Sequence, residues 1–305
     1  MGIAVVFPGQ GSQSPSAGRP WLDHGAWTVV AEAEAAAGEP FGRLLLDADA
    51  EELAPTRASQ LSVLLTSLVA WRAVEPTLDT AELVGVAGHS LGQITALIAA
   101  GAVSVADGIA LAVARADACA HAQQESPGAL LALLGADEAT ATAACEAAPG
   151  AAWVANLNGA GQVVVGGHAE SLDAVAERAA ELGIRRSRRL AVDGAFHTPL
   201  MAPAADRLSP VLDTIAFAAP WVPIVTNHDG TAVTADHGWP ERLTTHLVSP
   251  VRWADTVECL VELGADTIIE VGPGTTLSGL VRRIAPSVEV RSVSSPDHLP
   301  AQARR

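Results

Sequence analysis

The stretch Leu83-Val-Gly-Val-Ala-Gly-His-Ser-Leu-Gly-Gln-Ile-Thr-Ala-Leu-Ile-Ala-Ala100 decides how the rest of the chain is read. Leu83–Ala87 is an apolar run of strand length, and the residues after Ser90 read as an apolar helix to about Ala100. Between them, Gly88-His-Ser-Leu-Gly92 has the Gly-x-Ser-x-Gly form of a nucleophile elbow, a sharp strand-to-helix turn with serine at its apex. Glycines suit such a turn because neighbouring backbones approach where a Cβ would clash. The helix N-terminus behind the serine offers N–H groups without intrahelical acceptors, and these can stabilise an oxyanion. From Leu83 to Ala106 there is no Lys, Arg, Asp or Glu, but His89, Ser90, Gln93 and four glycines interrupt the stretch. That mixture fits a buried strand–turn–helix better than a membrane span.

Working outward, Ile3–Phe7 reads as a strand ending in the turn Pro8-Gly-Gln-Gly11, while Gln60–Val74 and Asp107 to about Gln123 read as helices. Strands alternating with helices predict an α/β fold, an α/β-hydrolase-like core whose mainly parallel sheet is covered on both faces. After Pro127-Gly128 the pattern changes. Ala129–Leu134 reads as a strand, Asp137–Ala148 as a helix, Trp153–Leu157 and Gln162–Gly166 as strands, Ala169–Leu182 as a helix and Arg188–Val192 as a strand. The order βαββαβ predicts an inserted ferredoxin-like subdomain over residues 127–193. Residues 1–126 and 194–305 then form the large catalytic domain, to which the strand-like runs Val222–Thr226 and Thr267–Val271 return the chain.

Composition excludes several classes of partner. The net charge is −16, and all 18 basic residues are arginine. A chain this acidic is poorly suited to nucleic acid or to an anionic membrane surface. The start, Met1-Gly-Ile-Ala-Val-Val-Phe7, lacks the basic region of a signal peptide. Cys119, Cys145 and Cys259 lie far apart and form no Cys-x-x-Cys pair, so no disulfide framework or zinc site is expected and a cytoplasmic setting fits. Any acidic partner needs a local basic patch. Two are visible, Arg185-Arg-Ser-Arg-Arg189 and Arg282-Arg283.

Serine chemistry needs a base, and nine histidines compete for that role. His89 adjoins the serine, but adjacent side chains diverge at an elbow. His197, in Gly194-Ala-Phe-His-Thr-Pro199, stands where the chain re-enters the large domain, a position favourable for presenting a catalytic side chain. The residues alone leave the choice open.

Five ordered segments carry a resemblance: Phe7-Pro-Gly-Gln-Gly-Ser-Gln13, Gly88-His-Ser-Leu-Gly92, Arg115, Gly194-Ala-Phe-His197 and Glu270-Val-Gly-Pro-Gly274. Asn156-Leu-Asn-Gly-Ala-Gly-Gln162 and Ser249-Pro-Val-Arg-Trp253 add to it. With these, nearly end to end, the chain resembles the malonyl-CoA:acyl carrier protein transacylases of fatty acid and polyketide synthesis. The resemblance implies Ser90 as nucleophile, His197 as general base, and the backbone N–H groups of Gln10 and Leu91 as oxyanion hole. It also implies Arg115 as the fork that holds the acyl carboxylate, where the residues alone suggest a surface arginine on an alanine-rich helix. Phe196, Asn158 and His246 fall in the substrate pocket, and Phe196 would crowd an α-alkyl branch. The implied reaction is ping-pong, from a coenzyme A thioester (malonyl-CoA) to the phosphopantetheine thiol of an acyl carrier protein, with a monomeric enzyme and no bound cofactor or metal. Arg185, Arg186, Arg282 and Arg283 are the docking candidates for the acidic carrier.

Two positions depart from the family pattern. Gln93 stands where relatives usually have Glu, and His246 where Gln is common. The second puts in doubt the contact that orients the catalytic histidine. Three alternatives stay open: a carrier-protein thioesterase built on the same serine, an acyltransferase for an α-alkylated or carrier-bound donor, and a silent docking module. The sequence does not separate fatty acid from polyketide synthesis.

Overall fold

The computed structural model describes residues 2–159 and 161–301. The strands are β1 (Ile3–Phe7), β2 (Leu83–Gly88), β3 (Ala129–Leu134), β4 (Ala152–Leu157), β5 (Gln162–Gly167), β6 (Arg186–Asp193), β7 (Ile224–Val225), β8 (Ala232–Val233), β9 (Thr267–Val271) and β10 (Glu289–Val293). The helices are α1 (Thr28–Ala37), α2 (Gly42–Leu46), α3 (Thr56–Val74), α4 (Gly92–Ala99), α5 (Val105–Glu125), α6 (Glu138–Ala147), α7 (Ala169–Glu181), α8 (Ala202–Leu212), α9 (Trp239–Val248), α10 (Trp253–Glu262) and α11 (Thr276–Ile284).

Six strands form one sheet in the order β10-β9-β1-β2-β7-β8. All its pairings are parallel except the short β7–β8 ladder. β1 and β9 are buried at every position because both of their faces are covered, as in central parallel strands. On one face Val5, Phe7 and Val86 pack with α3, α4 and α5. On the other, Ala4, Val6, Ala87 and Val225 meet Trp253, Val257 and Leu260 of α10 and Leu277, Leu280 and Val281 of α11. Glu270 is fully buried at the end of β9, and its carboxylate accepts from the N–H groups of Leu277 and Ser278 at 3.1 and 2.6 Å. It thereby caps α11 from another element, which gives the Glu-Val-Gly-Pro-Gly motif a structural purpose.

A second sheet, antiparallel throughout, has the order β4-β5-β3-β6. Within its own unit that is second, third, first, fourth, the arrangement of a ferredoxin-like fold. Leu131, Leu133, Val163 and Val165 face α6 and α7 on one side. Leu130, Ala132 and Val164 belong instead to the core of the larger unit. The two sheets' units are also joined through backbone: Leu157 N–H donates to the Val251 carbonyl at 2.8 Å, and Val251 N–H to the Ala155 carbonyl at 2.9 Å. Ala160, within the Asn156–Gln162 motif, lies outside the described residues.

Several elements differ from the sequence reading. The strand expected at Arg188–Val192 spans Arg186–Asp193, because its ladder with β3 already pairs Arg186 with Leu134 and, after a register shift, still pairs Asp193 with Ala129. The run Val222–Thr226 contributes only Ile224–Val225. β8, β10, α1 and α2 had no strong periodic signal; β10 is an edge strand whose Glu289 and Arg291 face solvent.

The elbow is held by backbones in direct contact. A Cβ on Gly88 would lie 1.9 Å from the Gly92 carbonyl, and one on Gly92 would lie 2.2 Å from the Phe7 oxygen. One on Gly9 would lie 2.3 Å from the His89 oxygen. None of these neighbours is a side chain able to swing away. Gly92→Ala is therefore expected to destabilise the fold by about 3 kcal/mol or more, the upper range of overpacking. Urea unfolding reads this directly, and a loss under about 1 kcal/mol would mean that β1 and the elbow can separate.

Candidate active site

Ser90 sits at the apex of the β2–α4 turn with φ +53°, in the left-handed region that non-glycine residues rarely occupy. That twist lifts its side chain off the sheet. The Oγ atom lies 2.7 Å from Nε2 of His197. His197 follows β6 in the re-entry loop, also at positive φ (+62°), and is only 3% exposed. Its Nδ1–H donates to the backbone carbonyl of His246 at 2.8 Å, which leaves the Nε2 lone pair facing Ser90.

His246 is not where the sequence reading put it. Its side chain does not line the cleft but stacks behind His197, ring centroids 4.9 Å apart, with Nε2 buried and unpartnered. The orienting contact comes from the carbonyl of residue 246, so a change of side chain from Gln to His leaves it intact. Gln93, the other departure, turns its Oε1 to the N–H of Asn227 at 3.1 Å.

Arg115 is a buried residue of α5, not a surface one. Its Nη1 donates to Gln60 Oε1 at 2.7 Å and its Nη2 to Ser90 Oγ at 3.2 Å. Among the described residues no carboxylate pairs with it, whereas most of the other buried or half-buried arginines are paired. Burial alone pushes its pKa down. Gln60 of α3, a residue without a sequence signal, also donates to Gln10 Oε1 at 3.2 Å and so links Arg115 on α5 to the loop after β1. Nothing marks it in the sequence, where it is one polar residue on an apolar helix. Asn227, likewise without a sequence signal, accepts the Ser90 N–H.

A cleft of about 460 Å³ opens over Ser90. Its walls include Gln10, His89, Asn158, Phe196 and His197, and none of the described lining residues is Asp or Glu. Among the described residues, the N–H groups of Gln10 and Leu91 donate to no protein acceptor. His89 turns away from the serine as expected. Its Nε2 lies 3.1 Å from Asn158 Oδ1 and its ring packs on Trp253. Of the docking candidates, Arg185, Arg186, Arg282 and Arg283 are all exposed. Arg283 reaches Gln162 on the cleft rim at 3.5 Å, while Arg282 turns to the Val290 carbonyl on the far side. Arg188 lines the cleft itself. Among the described residues no cluster of His, Cys, Asp and Glu is arranged to hold a metal ion.

The chain matches the family model of the acyl transferase domain over residues 4–297. It is 35% identical to the malonyl CoA-acyl carrier protein transacylase of Salmonella typhimurium, over 98% of each chain. Its fold superposes on the acyl-carrier-protein S-malonyltransferase of Bartonella henselae with a TM-score of 0.94, at 32% identity, covering 100% of this chain and 99% of that one. A malonyl-transacylase solved in complex with a type II polyketide synthase acyl-carrier protein gives a TM-score of 0.92 at 32% identity, over 98% and 97%.

Burial holds three rings neutral. It lowers the pKa of His197 to about 3, with the Arg115 charge as the second cause, and it lowers those of His246 and His89. The unfolded chain protonates these rings below about pH 6.5 and the folded chain only at lower pH, so the stability they confer is complete above pH 6.5 and erodes as pH falls through the lowered values. Each ring contributes a slope of up to about 1.4 kcal/mol per pH unit. His246→Gln should remove one ring's share, so the stability gap between variant and wild type narrows or reverses on going from pH 7 to pH 5. Urea unfolding at the two pH values checks this; an unchanged gap would mean that His246 titrates alike in both states.

Proposed function

The chain belongs to the acyl transferase family, among its malonyl-CoA:acyl carrier protein transacylases, and from that premise we propose the roles of its residues. It is an acyltransferase that moves a malonyl group from coenzyme A to the thiol of an acyl carrier protein. On our reading Ser90 is the nucleophile and His197 the base. Nε2 of His197 takes the Oγ proton as Oγ attacks the thioester carbonyl, and the Leu91 and Gln10 amides bind the oxyanion. The carbon–sulfur bond then breaks, and the coenzyme A sulfur leaves with the proton from His197. In the second half-reaction the carrier's pantetheine thiol gives its proton to Nε2 and attacks the acyl-serine. Oγ leaves and is reprotonated from the same nitrogen.

One observation carries the substrate reading: a buried guanidinium without a carboxylate partner, one hydrogen bond from the reacting oxygen. A desolvated cation in that position is completed by a short dicarboxylic acyl group on Ser90, which a bidentate fork can hold. The acid-free cleft in a chain of charge −16 favours the same anionic substrate. Bound carboxylate would also offset the Arg115 charge that depresses His197, making the base stronger once substrate is in place. Phe196 on the cleft wall supports malonyl over branched analogues.

The same reading takes residues 127–193 as the small subdomain and 1–126 with 194–305 as the catalytic domain. It gives the enzyme no resident cofactor, a monomeric state and a cytoplasmic setting. No helix among the described residues is long and apolar enough to cross a membrane. Arg188 lines the cleft and Arg283 reaches its rim at Gln162; with the exposed Arg185 and Arg186 they are the proposed carrier contacts, and Arg282, turned to the Val290 carbonyl, is the weaker candidate.

Ser90→Ala should abolish both the acyl-enzyme and transfer, as read by intact-protein mass spectrometry with malonyl-CoA; a malonyl adduct persisting on the variant would remove the assignment. Arg115→Ala should lower malonyl transfer by about 10²- to 10³-fold, corresponding to roughly 3–4 kcal/mol for an anion left unpaired, and spare acetyl transfer. Equal losses for the two acyl groups would make Arg115 structural. Reversing Arg185, Arg186 and Arg283 to Glu should raise the KM for carrier protein severalfold and leave self-acylation by malonyl-CoA unchanged. A carrier KM equal to wild type would put docking on another surface.

A further inference from the structure

We propose that Asn227 is a positioning residue for the proposed nucleophile, clamping the Ser90 backbone in its left-handed conformation and thereby aiming both Oγ and the Leu91 amide. The inference rests on Ser90 being the nucleophile.

The argument begins in the sheet. β7 runs parallel to β2, pairing Ile224 with Val86 and Val225 with Ala87, and then ends. Two residues further on, the β2 backbone is bending into the elbow, and a straight neighbouring strand could no longer follow it. The side-chain amide of Asn227 takes over the ladder at that point. Its Nδ2 donates to the Gly88 carbonyl at 2.7 Å, and its Oδ1 accepts from the Ser90 N–H at 2.7 Å. One planar group thus spans the backbone on both sides of His89, offering the acceptor and donor that a strand residue would offer.

Asn227 has no freedom to do otherwise. It is 1% exposed; its own N–H donates to Gln93 Oε1 at 3.1 Å and its carbonyl accepts from Arg252 N–H at 2.7 Å. Every polar group it has is used, and turning the amide over would set donor against donor and acceptor against acceptor. The clamp therefore ties the end of β2, the serine and the first turn of α4 to one rigid point. Ser90 at φ +53° persists only if its surroundings over-determine it. The Leu91 N–H shares a peptide unit with the Ser90 carbonyl, so a serine free to relax would carry that donor away from the developing oxyanion. Asn227 touches no reacting atom; its effect passes through Ser90.

The test is rapid-quench acylation by malonyl-CoA, followed by intact mass, on wild type, Asn227→Asp and Asn227→Ala. Asn227→Asp is nearly isosteric but cannot donate to the Gly88 carbonyl. Both variants should label Ser90 to full stoichiometry at long times. The acylation rate constant at saturation should fall about 10²-fold, the scale of a lost oxyanion donor, with the KM for malonyl-CoA within about threefold. Transfer from the acyl-enzyme to carrier protein should fall by a similar factor, because the same serine oxygen leaves through the same hole. A purely structural asparagine predicts a lower Tm with wild-type rate constants per labelled molecule; that result in either variant overturns the proposal. Should Asn227→Ala fail to fold, Asn227→Asp alone decides. Wild type labelled at a residue other than Ser90 would overturn the nucleophile reading instead, an outcome distinct from fast variants labelled at Ser90.

Discussion

Everything at the active centre depends on three backbones meeting without side chains between them. Gly9 lies against the His89 carbonyl, Gly92 against that of Phe7, and Gly88 against that of Gly92. These contacts hold the end of β1 against the turn after β2, and with it the segments that carry the proposed oxyanion donors Gln10 and Leu91. A methyl group at any of the three would meet a backbone carbonyl at 1.9–2.3 Å, so these backbones would have to move apart by roughly 1 Å. The catalytic arrangement is in this sense a packing problem solved before any chemistry is considered.

Electrostatics supply the second constraint. A cation as deeply buried as Arg115 is costly, and here it is balanced by a neutral amide and a hydroxyl, not by an acid. An ion pair in that place would satisfy the free protein and blunt its affinity for an anion. Gln60 avoids this: it holds the guanidinium in place with one hydrogen bond and leaves the charge available. The surrounding acidity of the chain, kept off the cleft walls, does the rest by discouraging anions elsewhere on the surface.

How much of this the sequence discloses follows from how local each determinant is. The elbow is legible because strand, turn and helix are contiguous between Leu83 and Ala100 and the glycine spacing is dictated by the turn itself. The ferredoxin-like unit is legible for the same reason, its elements alternating cleanly from Ala129 to Asp193. His197 could be picked from nine histidines only by resemblance, because its partner lies 107 residues away. Gln60 and Asn227 were invisible: an amide on a buried helix and an asparagine after a two-residue strand have no pattern, and their roles arise from contacts across 55 and 137 residues. Arg115 looked like a surface residue by its neighbours, and only the packing of α5 against α3 reverses that. At His246 the contact that orients His197 comes from the backbone carbonyl and not from the side chain, a distinction that no residue identity can reveal.

Ser16, Ser90 and His197 are the described non-glycine residues with positive φ, and two of the three are the proposed reacting pair. At both, glycine would relieve the backbone while deleting the functional atom. The centre is thus a place where thermodynamic optimisation and turnover pull the sequence in opposite directions.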